Sequence, residues 1–158
     1  MKKIRTSLLC VSMAVLSVAA AAQTGDTPPL REPDYNLPKS FETYPDRFAV
    51  DMTALSSLLS ATADAPVDVN IAQAGSFRLT GRVMSSGTRN NGATRSVVVR
   101  AASFADARIF ISRTLLDDGT LLYTGRMLRK GYGDAYELQS AGGQYVFVKR
   151  NIYDLVNE

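Results

Sequence analysis

The sequence predicts a mostly β fold (β with a short α-helix): a single antiparallel curled sheet or small open barrel of about seven strands, with one N-terminal covering helix. Three observations predict it. Apolar and polar residues alternate with period two through much of residues 67–149. Turn residues interrupt the alternation at short intervals, which favours hairpins over helical crossovers. Helical spacing is confined to one stretch near 51–62, ahead of the strands.

The first segment reads as an export signal. Lys2, Lys3 and Arg5 are a cationic start, Leu8 to Ala21 an apolar run, and Ala20-Ala21-Ala22 a small-residue cleavage site before Gln23. The run is about 15 residues, short of the ~20 that span a bilayer. Cleavage of 1–22 therefore predicts a periplasmic or extracellular protein with no integral membrane segment left. The signal removes three of 18 basic residues and no acids, leaving 15 Lys+Arg against 15 Asp+Glu. The formal charge of +3 belongs to the signal, so it does not point to nucleic acid. The single cysteine, Cys10, leaves with it, and the chain has no histidine. Thiol nucleophiles, imidazole bases and the usual zinc ligands are therefore missing from the exported part, and no cofactor or metal is expected.

Residues 23–47 hold Pro28, Pro29, Pro33, Pro38 and Pro45, which forbid regular helix or central strand. They are expected to form an extended arm, and Tyr35, Leu37, Phe41 and Tyr44 give it something to lay on the domain at 48–158. Asp51 suits a helix N-cap, and Val50 can staple to Leu55. Met52, Leu55, Leu58 and Leu59 share one helical face, and Pro66 closes the stretch.

Strands follow in order: Val67 to Ile71, Phe77 to Val83, Val97 to Val99, Arg108 to Leu116, Leu121 to Leu128, Tyr136 to Gln139 and Tyr145 to Lys149. Asp117-Asp118-Gly119 and Ala141-Gly142-Gly143 read as hairpin turns. Ser85 to Thr94 has two glycines and no alternation, and is expected to be a polar loop. Asn151 to Asn157 is expected to add a last short helix or strand.

Charge divides the chain. Residues 23–70 carry eight acids and three bases; residues 71–158 carry seven acids and twelve bases, ten of them Arg. Arg78 and Arg82 fall on one side of one strand, and Arg126 shares the wet side of another with Thr124. Arginine suits planar carboxylates, so these three are the expected partner-binding residues. Catalytic devices are few. Asp117 and Asp118 belong to a turn and stay solvated. Asp64 and Asp68 flank Pro66 without a calcium-loop pattern. Gly131-Tyr132-Gly133 lies between strands, the wrong setting for a phosphate loop. Tyr132, Tyr136, Tyr145 and Tyr153 suit half-buried strand packing. No nucleophile, base and orienting group can be assembled, so no enzyme is expected.

Phe48-Ala49-Val50-Asp51-Met52-Thr53-Ala54-Leu55 leads through a helix and strand to Gly75-Ser76-Phe77-Arg78-Leu79. Thr80-Gly81-Arg82-Val83, Ser96-Val97-Val98-Val99, Thr124-Gly125-Arg126-Met127 and Tyr136-Glu137-Leu138 follow. This order resembles the pro-regions of secreted bacterial reprolysin-like metallopeptidases, over about residues 48–150. The resemblance implies a free-standing β-rich inhibitor or chaperone of an extracellular protease, without carrying over any functional residue. The chain is thus expected to be an exported, non-catalytic protein-binding β domain. The alternative is a structural cell-envelope domain without a dedicated ligand, its acidic arm packed on its own Arg-rich face.

Overall fold

A computed structural model describes residues 34–155, apart from Tyr35, Ser76 and Ala105. The expected signal, the leading part of the arm and the end of the C-terminal segment lie outside the described residues. Residues Pro33–Glu158 make up one compact unit.

Among the described residues, eight strands form one antiparallel sheet: β1 (Arg47–Ala49), β2 (Pro66–Asn70), β3 (Arg78–Arg89), β4 (Thr94–Ala101), β5 (Ala107–Leu115), β6 (Leu121–Leu128), β7 (Asp134–Ala141) and β8 (Gln144–Asn151). The spatial order β1-β8-β7-β6-β5-β4-β3-β2 is a meander, with β1 returned to the far edge. The sheet curls into a half-barrel, as the alternation and the closely spaced turns predict. Its edges meet at one end, where Val50 bridges Ala72. Asp51 donates its N–H to the Ile71 carbonyl at 3.0 Å, and Gln73 donates to Ala49 at 2.9 Å. A bulge between Val83 and Ser85 bends β3. Beside it, a Cβ on Gly81 would lie 2.0 Å from the Arg100 carbonyl oxygen, so only glycine permits that strand spacing.

Helix α1 (Met52–Ser60) lies against β2, β4 and β5. Asp51 caps it, its carboxylate accepting the Thr53 and Ala54 N–H groups at 2.8 and 3.3 Å. Leu55, Leu58 and Leu59 are buried, and Val50 is buried with them as the staple requires. Below the helix an aromatic cluster fills the concave face. Phe48 stacks on Phe77 at 4.3 Å and Phe77 on Phe104 at 4.6 Å, with Phe41, Tyr44, Tyr136 and Phe147 around them.

The described end of the proline-rich arm belongs to this core. Phe41 is fully buried. Ser40 and Phe41 donate their N–H groups to the buried Asp134 carboxylate at 2.6 and 2.8 Å. The Tyr136 hydroxyl donates to the Pro45 carbonyl, and Lys149 Nζ to the Tyr44 carbonyl at 2.7 Å. The arm's last residue, Arg47, opens β1, a short strand that continues into the domain and that the proline count conceals.

The expected loop at Ser85 to Thr94 is mostly strand. Ser85↔Val98 through Arg89↔Thr94 pair in unbroken register, leaving a tight tip at 90–93. The side chains of Ser85 to Arg89 are exposed, so no burial imposed an alternation that could be read there. Asn151 ends β8, and Ile152 to Leu155 are turn.

Candidate functional site

Odd-numbered residues of β4, β5 and β6 point into the curl: Val97, Val99, Ile109, Ile111 and Met127 are buried. Even-numbered residues point outward. The outer face is therefore set by register, and register puts three arginines in a row. Arg82 lies directly opposite Arg100, and Arg100 directly opposite Arg108. Directly opposite side chains on one face sit about 4.5–5.5 Å apart at Cβ, and like charges there repel. Arg82 donates Nη1 to the Asp64 carbonyl at 2.6 Å. Among the described residues none of the three makes an ion pair.

The three residues singled out from sequence therefore part company. Arg78 is exposed, as expected, but is bound to Asp68 through Nε–Oδ1 and Nη2–Oδ2, both 2.7 Å. That bidentate bond holds the Asp68 carboxyl below its usual range and raises the Arg78 guanidinium. Arg126 is engaged more loosely, with Glu137 at 3.8 Å, a carboxylate shared with Arg150 at 3.6 Å. Arg82 alone joins the row. Arg100 and Arg108 escaped sequence reading, though their signal was there: they flank the β4–β5 turn at equal distances, so a hairpin must pair them.

One pleat step along the strands, Val98, Phe110 and Arg126 form the next outward row. An apolar groove of about 610 Å³ opens here, lined by Val98, Phe110, Leu128, Thr124 and Arg126 among others. Its position follows from a seam in the sheet. The β6–β7 ladder covers only Arg126↔Glu137 to Leu128↔Ala135, and Gly125 and Leu138 beyond it line the groove. Farther up, the Tyr145 hydroxyl accepts the Tyr123 N–H at 3.1 Å and donates to the Leu121 carbonyl at 3.3 Å, occupying the edge of β6 that β7 leaves. At the other end of the arginine row, a shallow cleft of about 410 Å³ holds Arg82 and Arg100 with Asp68 and Asp106.

The carboxylates considered for chemistry have other work. Asp118 Oδ1 accepts the Thr120 N–H at 2.8 Å, which closes the turn and lowers the Asp118 carboxyl. Asp68 belongs to Arg78. Asp134, which sequence reading missed, is buried and bonded to the arm. Among the described residues no group of His, Cys, Asp and Glu side chains is placed to hold a metal ion. Nor is any described helix long and apolar enough to cross a membrane.

No protein-family model, curated protein or solved structure matches this chain.

Proposed function

We propose that this is an exported, non-catalytic binding module whose outer sheet face takes an acidic, partly apolar segment of a protein. One observation carries the reading. Arg82, Arg100 and Arg108 stand in direct cross-strand register, without a carboxylate partner among the described residues, beside an apolar groove. Such a row costs the isolated fold some stability and gains a favourable interaction when an anionic surface meets it. Arginine presents a planar fork that pairs two oxygens of a carboxylate at once.

The structural alternative needs the arm on the arginine face. The described arm residues pack elsewhere, across the aromatic end of the curl, and their ion pair joins Asp46 to Lys149 at 3.2 Å. This favours the binding reading. The pro-region resemblance would make the partner an extracellular protease.

Capture from the producing cells' medium tests the proposal. Wild-type bait should retain a protein at low salt and release it as salt rises. The doubly substituted Arg100→Glu, Arg108→Glu bait should retain at least tenfold less. Equal capture by the two baits would refute the face as the contact surface.

A further inference from the structure

Six large apolar side chains are exposed among the described residues: Met84, Phe110, Leu115, Leu116, Leu121 and Leu122. Five of the six fall in two patches. Phe110 lines the outer groove. The four leucines crowd the tip of the β5–β6 hairpin, where Leu115 lies opposite Leu121 and Thr114 opposite Leu122. The turn between them carries Asp117 and Asp118, neither in an ion pair with a described residue. The tip is thus apolar and doubly negative. The groove is apolar; Arg126 and its ion-pair partner Glu137 line it, and Arg100 and Arg108 stand in the adjacent outward row.

We infer that these patches are the two halves of one contact: the β5–β6 tip of one copy seats in the outer groove of a second copy of this chain. The inference rests on the outer face being a protein-contact surface, and it names the occupant. Complementary charge and the mutual covering of nearly all the exposed apolar side chains support it. A copy cannot satisfy itself. Phe110 and the tip lie on the same hairpin, about 17 Å apart along an extended ladder that does not fold back. Each copy contributes a different patch, so the contact is heterologous. A docked pair keeps one free tip and one free groove, so assembly grows as open chains or closes as a ring.

Sedimentation velocity of the purified protein over a range of concentrations tests this. Two variants, both at exposed positions, are compared: a tip variant, Leu116→Ser with Asp117→Lys, and a face variant, Arg100→Glu with Phe110→Ser. Asp118 is left in place because it closes the turn. Thermal melts check that both are folded. The wild-type mass should rise with concentration, and raised salt should weaken association about tenfold. Each variant alone should remain a monomer. An equimolar mixture of the two should form dimers and nothing larger, since one supplies a tip and the other a groove. Wild-type protein that stays monomeric at every concentration would overturn the inference. So would association of the face variant by itself, which would mean tip meets tip. Failure here with partner capture still lost in the Arg100→Glu, Arg108→Glu bait removes the second copy as occupant and leaves the binding reading standing. Failure of both removes the face.

Discussion

The two ends of the sheet are built on different principles. At the end holding α1 and the arm, Phe41, Leu55, Ile71, Leu79 and Tyr136 are shielded from solvent almost completely. Buried backbone groups there find specific partners, such as the Asp134 carboxylate for Ser40 and Phe41. At the opposite end, the β3–β4 and β5–β6 hairpins run on past the core. From Ser85 to Asn91 and from Leu115 to Leu122 every residue is exposed. The first end stabilises the fold. The second is carried by ladder hydrogen bonds and turn geometry and is free to meet something else. The difference teaches where to look for exposed apolar groups: four of the six large ones among the described residues collect at the β5–β6 tip, where folding places no demand on them.

Substitutions can break or sharpen that contrast. The largest effect is expected at Phe41. Phe41→Ala should cost about 3–5 kcal/mol in denaturant unfolding, because the arm's ring is packed among Tyr44, Phe104 and Tyr136. A loss below about 1 kcal/mol would mean the arm is an ornament to the core rather than part of it. Next comes a neighbouring pair on β5. Ile111 is 2% exposed and Phe110 38%. Ile111→Ala should cost about 2–5 kcal/mol and Phe110→Ala about 0.5 or less. Equal losses would overturn the facing assigned to every strand registered with β5.

Gly119 has φ +83°, a left-handed conformation that suits glycine. Gly119→Val should cost about 1–3 kcal/mol, read as faster amide exchange in the β5–β6 tip with the core left protected. Exchange that quickened equally in α1 would erase the proposed independence of the two ends. A modest effect at neutral pH is expected at Tyr136, whose hydroxyl donates to the Pro45 carbonyl. Burial, reinforced by the Asp46 and Asp134 carboxylates, pushes its phenol well above the ordinary value. The raised value favours the neutral phenol in the fold. Its contribution is therefore complete below about pH 10 and is lost as the pH rises beyond. Tyr136→Phe should cost about 1 kcal/mol at pH 7 and flatten the alkaline limb of the stability curve. An unchanged limb would assign alkaline unfolding to other groups.

Local signals carried much of this fold. Asp51, Val50 and the leucine spacing announced α1. The turns at Asp118-Gly119 and Gly142-Gly143 announced two hairpins, the latter glycines taking φ +60° and +79°. Alternation placed Arg78 and Arg82 outward. The upper half of β3 stayed hidden because both its faces are wet, and β1 because three residues beside a proline-rich arm make no pattern. The candidate site was half legible. Arg82 was found, but Arg100 and Arg108 matter through what stands opposite them.

By itself, then, the amino-acid sequence determined most of the elements and their inward faces, because capping, turn chemistry and period-two burial act over a few residues. It also determined which reactive side chains are missing from the region after Gln23. Tertiary structure decided the rest: that Phe41 and Asp134, 93 positions apart, close one end of the curl; that three arginines share one row; and that Arg78 is committed to Asp68. Those outcomes depend on strand register and long-range contact, where a shift of one residue turns a face inside out.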